Sequence, residues 1–255
     1  MKHSFLDRYS DLDSFIHRLD PRTKVITTFA FILLVVLTPP TGWQAFALYF
    51  AIIAGLVLLS RIPTLYVLKR SLVIVPFVLF IAIFIPFLKS GEPSGSYNIW
   101  IWQVSSSGLL ILWNVLIKAW LSMLSLILLS STTKFSELLN GLEQLRLPKV
   151  MVMILSFMYR YIFVLVDEVI RMKQARDSRN FGGKRTWRLK TIGNMVGTLF
   201  LRSYERGERV YGAMVARGFD GETRTLSTPH FRMADLYFAA VFLICLALVG
   251  LSLLI

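Results

Sequence analysis

Apolar and polar positions alternate along this chain in long blocks. Five runs are apolar and almost free of charge, at roughly 23–38, 42–60, 72–88, 107–131 and 235–255. A helix needs about 20 apolar residues, with a range of about 17–25, to cross a bilayer. Each run is therefore expected to be a transmembrane helix. Pro39-Pro40 ends the first run in a tight turn to the second. Pro76 and Pro86 predict a kink or an early end in the third, because proline lacks an N–H and its ring clashes with the preceding turn. A sixth run, 150–170, is long enough to span but contains Arg160, Asp167 and Glu168. These are costly at membrane depth, so this run is expected in the cytoplasm or along the interface.

Between the fourth and fifth runs the periodicity is that of amphipathic helices. Phe135, Leu138, Leu139, Leu142 and Leu145 recur at helical spacing, and Pro148 stops that short helix. A second helix is expected over 150–180, ending at Asn180 and Gly182-Gly183. A third places Ile192, Met195, Val196, Leu199, Phe200, Ser203, Tyr204, Tyr211, Met214 and Val215 on one face. Arg202, Glu205, Arg206, Glu208 and Arg209 lie on its other face. It runs for about 26 residues, about 39 Å at the α-helical rise, and Gly218 ends it. The predicted fold class is an all-α integral membrane protein: about five transmembrane helices plus a cytoplasmic or interfacial layer of long amphipathic helices. The expected domains are 1–131, with the N-terminal segment and helices one to four; 132–233, the cytoplasmic helical domain; and 234–255, the last transmembrane helix.

Charge orients this arrangement. Hydrophobic residues make up 55% of the 255, above the roughly 45–50% of a soluble domain, and mean hydropathy is +0.62. Yet the net charge is +13, and fourteen Lys or Arg fall between Arg171 and Arg232. Basic loops stay in the cytoplasm, which puts this block inside. Arg61, Lys69 and Arg70 place 61–71 inside as well. Residues 89–106, with Trp100 and Trp102, read as an external loop with an interfacial aromatic anchor. The N-terminus is then cytoplasmic and the C-terminus external, in the plasma or inner membrane of a prokaryotic cell. The positive charge answers to this bias and to anionic membrane lipid rather than to nucleic acid. The mixed charges of the first 24 residues do not resemble a signal peptide.

Catalytic chemistry is scarce. His3, His17 and His230 are far apart, and the single cysteine, Cys245, lies in the last apolar run. No metal-ligand spacing, phosphate-binding glycine loop or nucleophile motif occurs. No catalytic residue, metal site or cofactor is expected in this chain. A membrane-embedded lipid-modifying enzyme is the alternative of a different class, and it requires several acid–base groups facing one cavity. Only Lys118 stands at clear membrane depth. A charge there has either a structural partner inside the bundle or a functional contact. Arg160 can pair with Asp167 or Glu168, two turns away, or with another helix. The His17–Lys24 stretch is either an interfacial anchor or a substrate site.

The two long helices share one detail. Ala175-Arg176-Asp177 and Ala216-Arg217-Gly218 both put Ala-Arg near a helix end. Arginine there complements the helix dipole, so position alone leaves a structural and a functional explanation open.

The order of motifs resembles a known family. Leu6-Asp7-Arg8-Tyr9-Ser10, then Ser14 to Lys24 with its Asp20-Pro21-Arg22, are similar to the N-terminus of the T component of energy-coupling-factor (ECF) transporters. Leu145-Arg146-Leu147-Pro148, Phe157 to Ile162 and the two Ala-Arg motifs resemble the same family in the same order. The opening and the Met-Tyr-Arg-Tyr stretch look most like its cobalt-uptake branch, CbiQ. The resemblance implies a non-catalytic coupling subunit of an ABC-type transporter. Its partners are two ATP-binding cassette ATPases, which hold ATP and Mg, and a substrate-capture membrane subunit similar to CbiM. Cobalt uptake for cobalamin biosynthesis is the implied process, with nickel or a vitamin as alternative cargo. Ala175, Arg176, Asp177, Ala216, Arg217 and Gly218 would dock the ATPases. Asp177 departs from the small residue usual at that place.

Overall fold

The computed structural model describes residues 10, 12–40, 42–82, 96–99, 102–179, 185–221 and 233–251. Expectations for residues 6–9, Pro86, Trp100, Asn180, Gly182-Gly183, Lys184, Arg224 and Arg232, and for the ends of the third and fifth apolar runs, lie outside them. Among the described residues nine helices and one hairpin follow in order: α1 (Pro21–Leu37), α2 (Trp43–Leu59), α3 (Thr64–Leu72), α4 (Ile74–Ala82), β1 (Ser96–Ile99), β2 (Trp102–Ser105), α5 (Ser106–Thr132), α6 (Phe135–Gln144), α7 (Lys149–Asp177), α8 (Arg185–Val215) and α9 (Met233–Leu251). The chain divides into two compact units with boundaries at 141/142 and 228/229. The first boundary falls inside α6 rather than before it.

The larger unit is built on α5, which packs against α1, α2, α3 and α4, while α9 packs against α1 and α2. At 27 residues α5 is about 39 Å long. Two lysines register α1 against it in antiparallel fashion. Near one end Lys24 Nζ donates to the Thr132 carbonyl at 3.0 Å; near the other Lys118 Nζ donates to the Val36 carbonyl at 2.8 Å. Val36 lies in the last turn of α1, whose carbonyls have no partner in the helix itself. Lys118 therefore has a structural partner: it completes a helix end and stands at the negative pole of that helix. Between the two ties the core is aromatic and branched. Phe31 meets Tyr49 edge-on at 5.6 Å and lies 6.4 Å from Phe242. Val35, Ile53, Leu121, Ile127 and Leu246 close around them, each nearly inaccessible to solvent. Large side chains such as Phe29, Leu33, Leu58, Phe77, Val241 and Leu248 point outward, as a lipid-facing surface requires.

The structure adds to or corrects the sequence reading at three places. The stretch 61–71, for which the charges indicated only a side of the membrane, is largely helical: Thr64–Leu72 forms α3, started after Pro63. The third apolar run breaks at Val73 rather than at a proline itself. Pro76 is the cause, because its ring excludes the carbonyl of Leu72 from a continuous helix, while in the first turn of α4 its missing N–H costs nothing. The stretch expected as an external loop contains structure, an antiparallel hairpin pairing Ser96 with Ser105 and Ile99 with Trp102. By length and composition α5, α7 and α9 are long and apolar enough to cross a membrane, and α2 is a shorter apolar helix. The sixth run thus matches a span in length and composition, against the cytoplasmic or interfacial placement expected from its charges and from the basic block that follows it.

The smaller unit holds α7 and α8. The third predicted helix is longer than expected, at 31 residues.

Candidate functional site

The two Ala-Arg motifs share a sequence but not a conformation. In the first, Ala175, Arg176 and Asp177 are the last helical residues of α7; the Ser178 N–H donates to the Gln174 carbonyl, keeping the chain in a right-handed turn. Asp177 needs no special backbone angle there, which is why a non-glycine residue is tolerated. In the second, α8 stops at Val215, and Gly218 has φ +79°. The Phe219 N–H reaches back to the Met214 carbonyl and the Gly218 N–H to Val215. This is a Schellman-type stop, and the left-handed angle is the reason for glycine at its third position. The same device ends α6: Arg146 has φ +70° and the Leu147 N–H bonds the Leu142 carbonyl, ahead of Pro148.

Their arginines differ accordingly. Arg176 donates to Asp177 Oδ1 from Nε at 2.9 Å and from Nη2 at 2.7 Å. Its side chain is only 20% exposed. Arg217 is exposed and makes no ion pair among the described residues. A guanidinium of this kind offers five donors in a rigid fork. Gly212, Gly218 and Gly221 around it leave open space where a side chain would stand.

Along α7 and α8 the sequence-predicted ion pair forms differently. Arg160 is exposed and takes no part in it. Glu168 instead accepts from Arg171 Nη2 at 2.7 Å and from Arg202 Nη1, on α8, at 2.6 Å. Arg160 lies two turns away along the same helix, beyond reach of Glu168, whereas Arg171 is one turn away. Asp167, next to Glu168, is half-buried. Beside this triad the helices enclose an apolar groove of about 470 Å³, lined by Met153, Phe157, Tyr161 and Leu165 of α7 and Val210 and Met214 of α8, among others. Arg206 also lines it, which corrects its assignment to the opposite face. The predicted apolar face of α8 splits in two: Met195, Leu199, Ser203 and Met214 are partly buried, while Val196, Phe200, Tyr204 and Tyr211 stay exposed.

A third group of polar residues joins part of the His17–Lys24 stretch to Asp235, which sequence reasoning missed. Asp20 caps α1, accepting from the Arg22 N–H at 2.9 Å with Pro21 at the first helical position. Its own N–H donates to Asp235 Oδ1 of α9 at 2.8 Å. Lys24, Asp20 and Asp235 are all buried. Lys24 Nζ also donates to the His17 carbonyl at 3.0 Å, and Asp20, Asp235 and Glu137 act on its charge. The Asp-Pro pair was the available signal, since Asp favours the cap position and Pro the first turn. The contacts to Thr132 and Asp235 tie the His17–Lys24 stretch to α5 and α9. Among the described residues no cluster of three or more His, Cys, Asp or Glu could hold a metal ion.

Residues 13–227 match the CbiQ family, described as cobalt transport protein. The chain belongs to that family. Membership makes it a transporter component, not an enzyme. Related proteins agree. It is 31% identical over 232 residues to the energy-coupling factor transporter transmembrane protein EcfT of Listeria innocua, covering 87% of this chain and 86% of that one. It is 30% identical over 237 residues to the Bacillus subtilis protein of the same name, covering 88% of each. An uncharacterized protein of Methanocaldococcus jannaschii is 26% identical over 254 residues, 96% of this chain and 85% of its own length.

Proposed function

We propose that this chain is the transmembrane coupling subunit of an ECF transporter. It passes the ATP-driven motion of two ATP-binding cassette subunits to a substrate-capture membrane subunit that takes up cobalt. The observation that carries this reading is the pair of arginines at the ends of α7 and α8, one of them, Arg217, exposed at a tight glycine stop. Each arginine docks one ATPase subunit, where its fork meets carboxylate or carbonyl groups. ATP and Mg stay with the partners. The basic block is cytoplasmic, the N-terminus with it, and the C-terminus external. The groove between α7 and α8, with exposed Met151, Ile154 and Met158 beside it, offers apolar area to the capture subunit.

Cargo is the property of that capture subunit. The relatives carry a general energy-coupling name without a cargo, so nickel or a vitamin stays the second reading beside cobalt.

The test is an assembly and uptake assay on the reconstituted transporter. Truncating one partner of a buried charge-assisted pair costs about 2–5 kcal/mol. Arg217→Ala and Arg176→Ala are therefore each expected to lose ATPase co-purification or to separate hydrolysis from uptake. The double variant fails to assemble, and Arg179→Ala behaves as the parent. Normal transport by all of them leaves the arginines as helix-dipole partners only.

A further inference from the structure

The groove is lined by residues from Met153 to Leu165 of α7 and from Ser203 to Met214 of α8, and Glu168, just past Leu165, meets Arg202, just before Ser203, so the two helices run antiparallel along it. Glu168 stands one turn past Leu165 and is held by Arg202 at 2.6 Å. Its carboxylate is 19% exposed, while the Arg202 side chain is 59% exposed. From Glu168 the chain runs one way to Arg176, about 12 Å along α7. From Arg202 it runs the other way to Arg217, about 22 Å along α8. The two motif arginines therefore lie on opposite sides of the Glu168 contact.

We propose that Glu168 is a positioning residue for coupling. Through Arg202 it forms the pivot that fixes where α7 and α8 cross, and so fixes the directions in which the two helices carry Arg176 and Arg217. The apolar contacts along the groove are non-directional and leave about 470 Å³ open, so they tolerate a change of crossing angle. The charge-assisted hydrogen bonds at Glu168 are directional and short. Rotation about this point carries Arg217 further than Arg176, because its arm is about twice as long. Arg171, on the same helix as Glu168, orients the carboxylate but does not join the helices. The proposal rests on the docking role of the two arginines for its functional consequence, and on geometry alone for the pivot.

The experiment measures the distance between the helix ends. Nitroxide labels are placed at Met151 and Val215, both exposed and on the same side of the Glu168 contact, in the full chain in lipid nanodiscs, in a Cys245→Ser background, and the distance distribution is read by pulsed electron resonance. Glu168→Gln and Arg202→Ala are each expected to broaden the distribution. The double variant is no broader than either, and Arg171→Ala stays narrow, with helix content unchanged throughout by circular dichroism. Distributions as narrow as the parent in both single variants overturn the pivot. In the reconstituted transporter Glu168→Gln is expected to keep its ATPase subunits and lose uptake per ATP hydrolysed. Broadening with unchanged uptake overturns the functional half. Should Arg176→Ala and Arg217→Ala transport normally while Glu168→Gln still broadens the distances, the docking reading has failed and the pivot stands.

Discussion

The backbone N–H of Asp20 donates to the carboxylate of Asp235 across 215 positions of sequence, at 2.8 Å. It joins the cap of the first helix to the first turn of the last. Both residues are buried, so neither bond partner can turn to water instead. An N-cap that gives its side chain to Arg22 and its N–H to a second aspartate holds the ends of α1 and α9 in one place.

Removing Asp235 leaves the Asp20 N–H without an acceptor. A buried unsatisfied donor costs about 1–3 kcal/mol. Asp235→Ala is expected to lower thermal stability in detergent by that amount. Asp235→Asn, which keeps an acceptor oxygen, loses less. Equal losses in both variants would show that charge, not the hydrogen bond, holds the contact.

Two glycines separate close approach from mere flexibility. A Cβ on Gly141 would stand 3.1 Å from Pro21 Cβ and 3.3 Å from the Arg22 nitrogen, whereas one on Gly197 would meet nothing within 4 Å. Alanine gains up to about 1 kcal/mol of helix propensity at either site. At Gly141 the neighbours are ring and backbone, and overpacking costs about 1–3 kcal/mol. Gly141→Ala should therefore destabilise and Gly197→Ala should stabilise in the same melting assay.

Gly218 bears on the docking geometry. Its φ of +79° costs a residue with a Cβ about 1–2 kcal/mol. Gly218→Ala is expected to fray the end of α8, raise amide exchange at Val215–Phe219 and weaken ATPase co-purification, while Gly207→Ala does neither.

Asp177 occupies the Arg176 guanidinium through two hydrogen bonds. Replacing it with a small residue frees those donors. Asp177→Ser is expected to strengthen assembly with the ATPases in a pull-down titration, at nearly unchanged stability, since an ion pair whose carboxylate side chain is half exposed is worth about 0–1 kcal/mol. Weaker assembly would assign Asp177 itself to the docking contact.

Topology is open to labelling. An Arg188→Cys variant in the Cys245→Ser background should resist impermeant maleimide on intact cells, and an Asn98→Cys variant in the hairpin should react. The reverse pattern overturns the charge-based orientation.

The hydrophobic pattern by itself determined the membrane character and the approximate bounds of α1, α2, α5, α6, α7 and α9, and the glycine at 218 marked the end of α8, whereas α6 stops at Gln144 and turns at Arg146, ahead of Pro148. These depend on local terms: apolar run length, helical period, and the backbone limits of proline and glycine. It also located both Ala-Arg motifs, because adjacency in sequence is visible in one dimension. Tertiary structure decided the rest. That Glu168 chooses Arg202 over Arg160, that Lys118 closes the end of α1, that Asp20 meets Asp235, and that Arg206 faces the groove are all matters of which helices lie side by side. A periodicity says which face of a helix is apolar, but not what stands opposite it. The difference between the two motifs belongs to the same class: Ala-Arg reads alike in both, and only the backbone shows one arginine held by its neighbour inside a helix and the other presented by a left-handed turn.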